Sequence, residues 1–118
     1  MARKQGQGKS FFEERLKKAI NIAVRKDISD PRLSLVSITR VELNPDYSHA
    51  KVYWDTYDAG KRGDIKKAFE GIASRLRTIL AKELKVRHTP SLELLYDAQF
   101  EAERAIEDLL SKSKNGKA

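Results

Sequence analysis

The sequence predicts an α+β domain with its helices gathered on one face of a small sheet. Three observations carry this. Two runs rich in β-branched residues follow one another across a short turn. Apolar series of helical period stand before and after them. The chain, at 118 residues, has room for one two-layer core and not for two.

The elements follow in order. Met1 to Lys9 is rich in Gly, Gln and Lys and reads as a disordered N-terminal tail. Ser10 with Glu13 fits a capping box that starts a helix reaching about Lys26. Phe12, Leu16, Ala19, Ile20, Ala23 and Val24 form its apolar stripe, with Lys17, Lys18, Asn21 and Arg25 facing outward. Asp30-Pro31 closes this region with a turn. Residues 34–43 read as a strand in which Val36 and Ile38 share one phase and Val41 and Leu43 the other. Such a slip predicts a β-bulge or sharp twist near Thr39-Arg40. Asn44-Pro45-Asp46 is a turn, and residues 48–57 form the second strand of a hairpin, with Ala50, Val52, Trp54 and Thr56 on its core face. After the break at Gly60 to Gly63, Asp64 can cap a helical stretch to about Leu84. Gly71 and Ser74 leave it open whether this is one helix or two joined by a kink. Leu92 to Tyr96 is a short strand. Ala98 to Lys112 is a final helix, expected to turn Ala102, Ala105, Ile106 and Leu109 inward. The remaining stretch, 111–118, reads as a flexible basic tail.

Charge is distributed in blocks. The net value is +7, yet residues 1–26 hold eight Lys/Arg against Glu13 and Glu14, and residues 61–90 hold nine against Asp64, Glu70 and Glu83. Between and after these lie two acidic blocks. A polyanion is the natural partner, because neutralising phosphates releases counterions and so gives affinity without reading sequence. Without cysteine there is no disulfide framework, thiol nucleophile or thiolate metal site. No apolar run of signal-peptide or membrane-spanning length occurs, so a cytoplasmic protein is expected, with no membrane partner.

The cations best placed for RNA are Arg75, Arg77, Lys82, Lys85 and Arg87, since several share helical spacing and arginine engages two phosphate oxygens at once. Lys61 and Arg62 of Gly60-Lys61-Arg62-Gly63 are further candidates. That tetrapeptide spells a GxxG clamp but stands ahead of the central helical stretch, where a flexible turn is the simpler reading. Lys17, Lys18 and Arg25 complete the set. Tyr53 and Tyr57 stand opposite Trp54 and could stack a base if that sheet face is open. His49 and His88 lack nearby ligand partners, so no metal site is expected. Asp46, Asp55 and Asp58 raise a metal-dependent nuclease as a competing class, though Asp55 and Asp58 read as solvated acids at a strand end. No nucleophile motif or phosphate-cradling loop of the nucleotide-binding kind occurs, and neither an enzymatic activity, a cofactor nor a small-molecule substrate is expected.

Asp30-Pro31-Arg32-Leu33, Asn44-Pro45-Asp46 leading into Ala50-Lys51-Val52-Tyr53, Leu76-Arg77, the run from Lys82 to Arg87, Pro90-Ser91-Leu92 and Tyr96-Asp97 together resemble the ribosome-binding factor A family over roughly residues 10–110. The resemblance implies a type II K-homology-like fold (helix, two strands, two helices with a kink between them, strand), here with an additional C-terminal helix. It also implies a non-catalytic, monomeric assembly factor that binds the free small ribosomal subunit and its rRNA, helps late maturation and processing, and is associated with growth in the cold. A permanent ribosomal protein is the neighbouring alternative. One departure stands out: where the family places an Ala-x-Gly kink, this sequence has Ile72-Ala73-Ser74, with Gly71 one place early.

Overall fold

The computed structural model describes the backbone of residues 2–116 and the side chains of residues 8–111, apart from Ala59. Helix α1 spans Ala2–Ala23 and ends in a π-helical turn, Val24–Ile28. A short 3-10 turn, Pro31–Leu33, then leads to β1 (Val36–Leu43) and β2 (His49–Thr56). A second 3-10 turn, Ala59–Lys61, enters α2 (Arg62–Leu84); β3 (Ser91–Tyr96) and α3 (Ala98–Gly116) follow. The sheet order is β1-β2-β3, with β1 and β2 antiparallel and β2 and β3 parallel. A parallel neighbour requires a crossover, and α2 supplies it. This is the expected α+β, type II K-homology-like fold with its extra C-terminal helix, one helix standing where two joined by a kink are expected.

The core lies between one sheet face and α1 with α2. Leu16 and Ile20 from α1 and Leu76 and Leu80 from α2 are fully buried with Ala50 and Val52. Trp54 is core as expected, its ring 5.7 Å from Phe69 and 5.1 Å from Tyr96. The predicted bulge is present: the β1–β2 register shifts between Ile38 and Arg40. The shift turns Val41 and Leu43 to the face already occupied by Val36 and Ile38, so all four are buried.

Asn21, expected to face solvent, instead holds the bulge. Its Oδ1 accepts from the Ile38 N–H at 2.9 Å, and its Nδ2 donates to the Ile38 carbonyl at 3.4 Å. Eight residues earlier in α1, Glu13 accepts from the Leu43 N–H at 2.8 Å; four residues later, Arg25 donates to the Val36 carbonyl at 3.0 Å. These spacings keep the three side chains on one side of α1 and the π-helical turn that continues it, which thereby cover the outer edge of β1.

Several expectations change. The capping box of Ser10 does not form, because helix continues on its N-terminal side and Glu13 is engaged by β1. The expected tail of residues 1–9 lies largely outside the described side chains, as does most of the 111–118 tail. Lys61, not Asp64, occupies the cap position of α2, without a side-chain bond. Asp58 secures the entry instead, accepting from the Gly60 N–H with its carboxylate and the Lys61 N–H with its carbonyl. Of the two possibilities for residues 62–84, α2 is one helix, unbroken through Ile72-Ala73-Ser74. No glycine among the described residues has positive φ, and nothing but helical backbone surrounds Gly71, so no residue there forces a kink. Finally, Ala102, Ala105, Ile106 and Leu109 are exposed, because α3 meets the sheet through Glu101 and Arg104 and not through its apolar face.

Candidate nucleic-acid interface

The C-terminal half of α2 and the loop behind it carry five cations, Arg75, Arg77, Lys82, Lys85 and Arg87. Arg75 and Arg77, two residues apart, point to flanks separated by about 200°. Arg75 donates to the Asp27 carbonyl at 2.8 Å, joining α2 to the turn after α1; Arg77 donates to the Thr89 carbonyl at 2.9 Å, joining α2 to the loop before β3. One of five guanidinium N–H groups serves each bond, so both arginines retain donors toward solvent. Lys82, Lys85 and Arg87 are exposed and make no hydrogen bond or ion pair among the described residues.

Lys85 closes α2 in a left-handed conformation, φ 53 and ψ 38, a place that glycine usually takes. A lysine there carries a strain of about 1 kcal/mol. It sets an ammonium at the negative end of the helix dipole and turns the chain so that Arg87 and His88 come back beside Arg77.

The result is an open groove of about 470 Å³ lined by Ser74, Arg77, Thr78, Ala81, Arg87, His88 and Thr89. It offers two guanidinium groups, an imidazole and three hydroxyls. Thr78 donates its hydroxyl hydrogen to the Ser74 carbonyl at 3.1 Å and keeps its lone pairs for an outside donor. Short side chains on the outer helix face let another backbone come close while the arginines reach around it. This is chemistry for a polyanion, and particularly for phosphate with 2′-hydroxyl groups nearby.

The other predicted cations fall elsewhere. Lys61 and Arg62 lie at the opposite end of α2, about 33 Å away along the helix axis, and the Arg62 guanidinium rests over the Tyr96 ring at 4.7 Å. Lys18 lines a cleft between α1 and α2 with Arg15, Asp27 and Glu83, on the Arg75 side. Lys17 is half-buried on α1, and Arg25 is engaged by Val36. The structure therefore brings Arg77 and Arg87 together, sets Arg75 with Lys18 on the other flank, and separates Lys61 and Arg62 from both. Ser74, Thr78, His88 and Thr89 are not among the RNA candidates that the sequence offers; the signal available is the row of small and hydroxyl residues on the outer face of α2.

The open sheet face is occupied by its own side chains. Arg40 stacks on Tyr53 at 3.8 Å and pairs with Glu42 and Asp97, leaving Tyr53 one ring face at most; Tyr57 is 84% exposed. Burial raises the Tyr53 phenol, and Glu42 beside it adds to the shift. His49, unpartnered in the sequence reading, links two strands: Nδ1 is 2.9 Å from Ser91 Oγ and Nε2 2.9 Å from Glu93. Ser91 donates to the Ser48 carbonyl, opposite to the polarity of a nucleophile donating to its base. The three aspartates of the nuclease reading do not converge. Asp46 accepts from Ser48, Asp58 holds its own turn, and Asp55 is buried against Arg104, which corrects its reading as a solvated acid. Among the described residues no group of three or more His, Cys, Asp or Glu could hold a metal ion, and no helix is long and apolar enough to cross a membrane.

A family model described as ribosome-binding factor A matches residues 9–110. The chain belongs to the ribosome-binding factor A family. A family member from Dechloromonas aromatica (strain RCB) is 28% identical over 113 residues, covering 96% of this chain and 92% of that protein. The crystal structure of ribosome-binding factor A from Thermus thermophilus superposes with a TM-score of 0.68 at 30% identity, covering 75% of this chain and 94% of that one. A homology model of the Thermus thermophilus factor, fitted into a cryo-EM map of its complex with the 30S subunit, gives a TM-score of 0.61 at 30% identity, covering 70% and 88% of the two chains. Solved members of this family thus share the fold of this chain.

Proposed function

We propose that this chain is a non-catalytic RNA-binding factor that acts, as a cytoplasmic monomer, on the free and immature small ribosomal subunit. It assists late maturation and processing of the subunit's rRNA, including during growth in the cold. The observation that carries the reading is the basic groove at the C-terminal end of α2. Arg77 and Arg87 line it together with hydroxyl-bearing side chains; Lys82 and Lys85 extend the positive charge at this end of the helix, Arg75 lies on its other flank, and Glu83 is the one acid of that stretch. The fitted 30S complex of the Thermus relative supports the choice of subunit.

The mechanism is conformational selection. The groove has donors for phosphate and 2′-hydroxyl groups but few groups that distinguish bases, so it favours a backbone shape over a sequence. Binding stabilises whichever arrangement of an immature rRNA region presents that shape, by as much as the differential affinity allows. The test is sucrose-gradient fractionation of a cell lysate with detection of this protein. Migration with free small subunits and absence from complete ribosomes is expected. Equal presence in complete ribosomes would mark a permanent component instead, and absence from every ribosomal particle at low salt would overturn the ribosomal reading.

A further inference from the structure

Among the described residues, helix α3 is fastened to the domain only through its first two turns. Asp97 caps it, accepting from the Phe100 N–H at 2.9 Å, and Tyr96 donates to Glu101 at 2.7 Å. Arg104 reaches the buried Asp55. Beyond Arg104, among the described residues, no hydrogen bond or ion pair ties α3 to the sheet or the other helices. Ile106, two residues on, points about 200° away from Arg104. With Leu109 and Leu110 it makes a stripe at helical spacing, the three side chains being 57%, 68% and 62% exposed.

Up to Leu110 the charge of this helix is opposite to that of the domain, Lys112 and Lys114 following in its last turns. Residues 98–110 carry Glu101, Glu103, Glu107 and Asp108 against Arg104, within a chain of net charge +7. Glu103 and Glu107 stand beside the stripe. Carboxylates in that place repel phosphate, which sets α3 apart from the RNA groove and from an anionic membrane. A second copy of α3 would bring like charges together, and three apolar side chains fall far short of the roughly 800 Å² per partner of a stable dimer. An apolar stripe edged by acids fits a partner with apolar side chains set among lysines and arginines.

We infer that α3 is a docking helix for a basic protein of the small subunit, inserting Ile106, Leu109 and Leu110 while Glu103 and Glu107 meet its cations. The inference rests on the small-subunit reading above. It divides the labour of the molecule: the α2 groove takes RNA, and α3 takes protein.

The experiment uses the full chain with Leu109 replaced by the photoreactive p-benzoylphenylalanine, bound to isolated small subunits and irradiated. The expected product is an adduct that survives ribonuclease and contains a single basic subunit protein. Ile106→Ser with Leu110→Ser, at positions where the fold buries neither side chain, should weaken subunit binding roughly ten- to hundredfold and abolish that adduct. An adduct to rRNA or to a second copy of the chain, or no adduct from a chain that sediments with the subunit, overturns the docking role and leaves the RNA reading standing. A chain that does not sediment with the subunit at all overturns both.

Discussion

Removing the Asn21 amide tests how α1 is held to the sheet. In Asn21→Ala, the Ile38 N–H loses a 2.9 Å bond at a bulge where the ladder to β2 is already interrupted. An orphaned, partly buried amide costs about 2 kcal/mol. The second bond, at 3.4 Å, is long and adds little. Alanine is the better helix former by about 0.6 kcal/mol, which offsets part of the loss. The net expectation is about 1.5 kcal/mol of destabilisation, or about 6 °C in Tm for a chain of this size. Urea denaturation at constant m measures it, and the Ile38 amide should exchange faster with solvent. Asn21→Asp keeps the acceptor and should lose less. A loss below about 0.5 kcal/mol for the alanine variant would show that Asn21 does not anchor α1.

Gly71 is exposed, helical and free of neighbours within 4 Å, so Gly71→Ala should stabilise the protein by about 0.5–1 kcal/mol; a destabilisation would reveal a bend that alanine cannot take. Alkaline titration of the tyrosine absorbance should show Tyr96 last, because burial first and the bond to Glu101 second push it up to about 12. With the folded value raised, its contribution to stability is whole below pH 10 and fades as the pH climbs through about 12, and Tyr96→Phe should remove that alkaline loss. Burial pushes the Asp97 carboxyl up, but the Thr39 hydroxyl, the Phe100 amide and Arg40 outweigh it and hold it below the usual range. Its stabilisation is therefore present above the unfolded value near about 3.9 and lost as the pH falls through the lower folded one. Asp97→Asn should flatten the acid limb of stability below about pH 4.

The sheet and the inner faces of the helices were readable because their signals are local and periodic. The phase slip between Ile38 and Val41 located the bulge from eight residues of sequence. What sequence missed depends on partners far along the chain. Asn21 looks like any polar helix residue until β1 lies beside it, and Asp55 looks solvated until Arg104, forty-nine residues on, returns to cover it. The apolar series of α3 was legible, but its direction was not, since periodicity shows that a face is apolar and not what covers it. For the interface, the basic residues around α2 were visible as a set. Their division into a groove with Arg77 and Arg87 and a flank with Arg75 follows from the turn at Lys85 and from two backbone carbonyls, at Asp27 and Thr89, that sequence gives no means to place.

The most direct test of the central claim is the salt dependence of binding to isolated small subunits, for the native chain and for Lys82→Gln, Lys85→Gln and Arg87→Gln combined. These three make no intramolecular bond among the described residues, so the fold should be preserved, as circular dichroism can verify. If each neutralises one phosphate, the slope of log K against log salt should become shallower by about 2–3, and affinity near 0.15 M salt should fall on the order of 100-fold. An unchanged slope and affinity would contradict the placing of RNA at the C-terminal end of α2.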